Sequence, residues 1–78
     1  MSHYTTRLEQ DLEAIRTRLA HIAGAVRISV AEAVDALMEH DKSRLYAVML
    51  DDPHINRETR ALDAQCHAFI ARHLPAAG

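Results

Sequence analysis

Between Leu8 and Leu37 the chain repeats apolar residues at steps of three and four: Leu8, Leu12, Ile15, Leu19, Ile22, Val26, Val30, Ala33, Val34 and Leu37. At about 100° per residue these positions share one arc of roughly 120° on a helix. Charged side chains take the rest of the circumference, and no proline interrupts the run. One helix of about 30 residues or more is predicted, on the order of 45–55 Å long at about 1.5 Å per residue. In a chain of 78 residues, so long an apolar stripe must be covered by the remaining half or by another molecule.

The remaining half repeats the pattern. Leu45, Val48, Asp52, Ile55, Thr59, Leu62, Cys66, Phe69 and His73 form a second stripe, which Met49, Ile70 and Leu74 broaden. His40-Asp41-Lys42-Ser43 is the turn between the two patterns, with Asp41 or Ser43 as the cap of the second helix. So short a link makes the helices antiparallel neighbours. Before the first helix, Ser2, Thr5 and Thr6 are candidate caps. Pro53 removes a backbone donor and crowds the carbonyl of Met49. Val48 and Ile55 nevertheless keep the same phase across it, which favours one helix kinked near Pro53. The alternative is a separate helix that starts at Pro53 and is capped by Asp52. Pro75 ends the pattern.

The expected fold is therefore all-α. It is an antiparallel hairpin of two long helices, about residues 5–40 and 43–73, forming a single unit over residues 1–78. Hydrophobic residues make up 49% of the chain but aromatics only 4%, so the apolar content is Ala, Leu, Ile and Val, which suits helices packed side by side. With two glycines and two prolines there are too few turns for a β fold. The net charge of −2, with both signs interleaved, excludes nucleic acid as the main partner. No apolar run reaches the roughly 18–20 residues of a membrane span, and no signal peptide is visible. Cys66 has no internal disulfide partner, which fits a reducing cytoplasm.

Polar residues interrupt the seam. Asp52, Asn56 and Thr59 fall opposite Glu32, Ser29 and Val26 or Ala25 in a hairpin that turns near Lys42. Buried polar groups need partners, at about 1–3 kcal/mol if unmade. Ser29, Asp52 and Asn56 are thus expected to form a buried polar cluster that fixes the register, with Asn56 near Ser29. A partly wet ion site at the same place is the other reading. Gly24, in mid-helix, is either simply tolerated or marks close approach of a neighbouring backbone.

No constellation for catalysis appears. The six histidines are scattered. His54 with Glu58, Asp63 with His67, and Asp51 with His54 have helical ligand spacing, yet no second pair on the first helix converges on them. Solvated histidines are the better reading, and no metal or other cofactor is expected. Cys66 lies on the apolar stripe, as a packing thiol does. Ser29 and Ser43 have no histidine placed to activate them.

Fragments along both stripes resemble the N-terminal part of the PhoU family, regulators of bacterial phosphate transport and phosphate-starvation signalling. The matching text is Leu12-Glu13-Ala14-Ile15-Arg16-Thr17, then Ala33-Val34-Asp35-Ala36-Leu37 ahead of His40-Asp41. Val48-x-x-Asp51-Asp52-x-x-Ile55-Asn56, Leu62-Asp63-x-x-Cys66 and Leu74-Pro75-Ala76-Ala77 come next, in that order. The resemblance implies three-helix domains, usually two per chain, of which this sequence matches the first two helices. It also implies a third helix bearing an acidic Glu/Asp-x-x-x-Asp metal motif. No residue here occupies that motif, so no metal ligand is implied. A cytoplasmic, non-catalytic regulator is expected. It would touch the phosphate transporter ATPase and the phosphate sensor kinase and restrain uptake and the starvation response.

Two helices cover only part of stripes this wide. The expected outcome is a homodimer that completes the bundle, with Ile22, Val26, Val30, Val34 and Leu37 as the oligomer or partner surface. A stand-alone helical-hairpin dimerisation module with no phosphate role is the alternative.

Overall fold

The computed structural model describes residues 3–50 and 52–74. It is an antiparallel helical hairpin. Its first limb is α1 (His3–Met38), and its second is α2 (Lys42–Leu50) followed by α3 (Asp52–His73). The 36 residues of α1 set the long dimension of the molecule, which measures 57 × 23 × 15 Å. α1 already contains Thr5 and Thr6, so neither precedes it as a cap; Ser2 lies outside the described residues.

The turn is built from two complementary devices. At the end of α1 the Asp41 amide donates to the Ala36 carbonyl at 2.8 Å, and the His40 amide donates to the Leu37 carbonyl at 3.2 Å. That is a Schellman closure, and its left-handed residue is His40, with φ of 55°, where glycine is the usual occupant. Asp41 then caps α2: its Oδ1 accepts from the Arg44 amide at 3.1 Å, and its carbonyl accepts from the Leu45 amide at 3.1 Å. Of the two candidate caps, Asp41 is the one used, so the chain reverses within three residues.

The second limb passes from α2 to α3 just before Pro53. The kink expected there falls on the junction between α2 and α3, and Asp51, the residue between them, lies outside the described residues. The side chain of Asp52, the alternative cap, is outside them as well.

The seam runs along Leu8, Asp11, Ile15, Arg18, Ile22, Ala25, Ser29, Ala33 and Ala36 on α1, all half-buried except the buried Ala36. Steps of three and four put them on one face. Facing them are Leu45 and Val48 of α2, and Ile55, Glu58, Leu62, Gln65, Cys66, Phe69 and His73 of α3. The covered side of α1 near the turn is thus its small-residue side. The larger Leu19, Val26, Val30, Val34 and Leu37 flank it and remain exposed. Thr59, expected in the seam, is outside it: it is exposed and its hydroxyl donates to the Ile55 carbonyl at 2.9 Å, while Glu58 takes the inward place. Gly24 has no neighbour within 4 Å of where a Cβ would stand, so no backbone approaches it closely.

Among the described residues Ala36 is the one buried hydrophobic residue, at 1% exposure. The chain exposes 6170 Å², whereas a folded monomer of 8.7 kDa exposes about 4,700 Å². The hairpin has a seam but no enclosed core.

Candidate interaction surface

Three polar clasps hold the two limbs in register. Nearest the turn, Arg44 Nη1 bonds Glu39 Oε2 at 2.7 Å, and its Nη2 lies 3.8 Å from Asp35 Oδ2. Midway along, Arg18 reaches from α1 to α3: Nε donates to Gln65 Oε1 at 2.9 Å and Nη1 to Glu58 Oε2 at 3.1 Å. These groups are about one-third exposed, so their contribution is specificity of register more than stability.

The third clasp closes the open end. Asp11 Oδ2 accepts from His73 Nε2 and from Arg72 Nη1, each at 2.8 Å. Those bonds hold the Asp11 carboxyl below the ordinary carboxylate range, the His73 bond acting most strongly and the Arg72 bond next, with desolvation opposing both. The His73 side chain is 1% exposed. Its ring lies 4.7 Å from that of Phe69 and 5.7 Å, edge-on, from that of Tyr4. Tyr4 also donates its hydroxyl to the His73 carbonyl at 3.2 Å, satisfying an acceptor that the end of α3 leaves open. With Nε2 committed to Asp11, His73 Nδ1 is buried among apolar contacts without a partner among the described residues. On spacing alone Asp11 pairs with Arg7, four residues back; the structure instead joins it to α3. The local pair Glu13–Arg16 does form, at 3.5 Å.

The residues expected as a buried polar cluster lie apart from these clasps. Ser29 is half-buried and Asn56 is exposed, no hydrogen bond joins them among the described residues, and the Asp52 side chain lies outside those residues. Of the helical His/carboxylate pairs, His67 Nδ1 donates to the Asp63 carbonyl at 2.8 Å and lies 3.5 Å from the Asp63 carboxylate. Glu58 turns to Arg18 instead of His54. Among the described residues no group of three or more His, Cys, Asp or Glu is placed to hold a metal ion. No described helix is long and apolar enough to cross a membrane.

Part of what the hairpin presents to its surroundings is apolar. Leu19 is 53% exposed, and Val26, Val30, Val34 and Leu37 are 40–59% exposed; Ile22, at the edge of the seam, is half-buried. Met49 of α2 and Ile70 and Leu74 at the far end of the second limb are also about half exposed. On both limbs these residues sit roughly 90° from the seam in the same rotational sense. Because the limbs run antiparallel, equal rotations bring both sets to the same side of the hairpin. Of the five α1 residues expected to form a partner surface, Val26, Val30, Val34 and Leu37 lie on this open side, whereas Ile22 belongs to the seam.

Fold and surface place the chain in the class of all-helical hairpins, with polar clasps along the seam and an open apolar side on α1. Sequence comparison specifies the class further. The chain is 35% identical over 75 residues to a phosphate-specific transport system accessory protein PhoU homolog of Pseudomonas putida, and 33% identical to that of Pseudomonas aeruginosa. It is 28% identical to the Escherichia coli accessory protein PhoU. Each match covers 96% of this chain. The chain is thus a relative of the PhoU family, matched along nearly its whole length. It spans about a third of the length of these curated relatives, 29% to 31%. No family model matches the chain, and no solved structure matches it.

Proposed function

We propose that this chain acts as a PhoU-like accessory of a phosphate-specific transport system. It restrains phosphate uptake and the phosphate-starvation response by binding other proteins, without catalysing a reaction. The expected partners are the transporter ATPase subunit and the phosphate sensor kinase, in the cytoplasm, with the chain acting as a homodimer. The observation that carries this reading is the sequence relation to PhoU accessory proteins over 96% of the chain. The open apolar side of α1 supports action through contacts, since contiguous exposed apolar surface of this kind marks protein interfaces.

The test is retention of the transporter ATPase on the immobilised chain. We expect retention by the native chain and its loss in Val30→Asp, which puts a charge in the middle of the apolar side. An intact, folded chain that retains no ATPase would overturn the phosphate reading. It would favour the alternative, a helical-hairpin dimerisation module without a phosphate role.

A further inference from the structure

We draw no further inference here: the strongest candidate, the open apolar side of α1 along Leu19, Val26, Val30, Val34 and Leu37, carries nothing because no feature of the structure shows what covers it.

Discussion

His73 Nε2 stands 2.8 Å from Asp11 Oδ2, joining the last helical residue of the second limb to the first limb across 62 positions of sequence. This bond and its Arg72 neighbour favour the ionised carboxylate in the native state, which lowers the Asp11 pKa below its unfolded value. The folded pKa is depressed, so the native state keeps Asp11 ionised at pH values where the unfolded chain has begun to protonate it. The stabilisation is therefore fully present above the ordinary aspartate value of about 3.9 and is lost as pH falls through the folded value. Urea midpoints measured from about pH 5 down to about pH 2 should fall with acid in the native chain and fall less in Asp11→Asn. Identical acid slopes in the two proteins would refute a role for this clasp.

Gly24 offers a cleaner stability test. It sits inside α1, where glycine is about 1 kcal/mol less favourable than alanine, and an added methyl group meets nothing within 4 Å. Gly24→Ala should raise stability by about 0.5–1 kcal/mol in urea melts. Gly24 also lies well off the exposed stripe on the helical wheel, so the substitution should leave self-association unchanged in sedimentation. A destabilised variant would show that another backbone packs against this position.

Much of this architecture is legible in the sequence. The two stripes give two limbs, and the His40–Ser43 segment gives a turn with Asp41 or Ser43 as its cap, of which the structure uses Asp41. What a helical wheel does not reveal is which part of a wide apolar arc turns inward. Ala25, Ser29, Ala33 and Ala36 border the arc that contains Val26, Val30 and Val34, and the hairpin packs the small-residue border. Short side chains let the limbs approach closely beside a turn that closes on the Ala36 carbonyl, and that choice leaves the valines outside. The clasps are hidden from the sequence for a related reason. Asp11 with His73, and Arg18 with Glu58 and Gln65, are 40 to 62 positions apart, so they emerge only once the register is fixed. Local spacing offers Arg7 to Asp11 and His54 to Glu58 instead.

His40 holds a left-handed backbone at φ of 55°, a conformation that carries a steric cost for any residue with a Cβ. His40→Gly relieves that cost while keeping the Schellman bonds of Asp41 and His40, which come from the backbone. Glycine also loses more conformational freedom on folding, which offsets part of the gain. The net expectation is about 0.5–1 kcal/mol of added stability by urea melts. No gain, or a loss, would mean that the imidazole makes a contribution the backbone geometry does not account for.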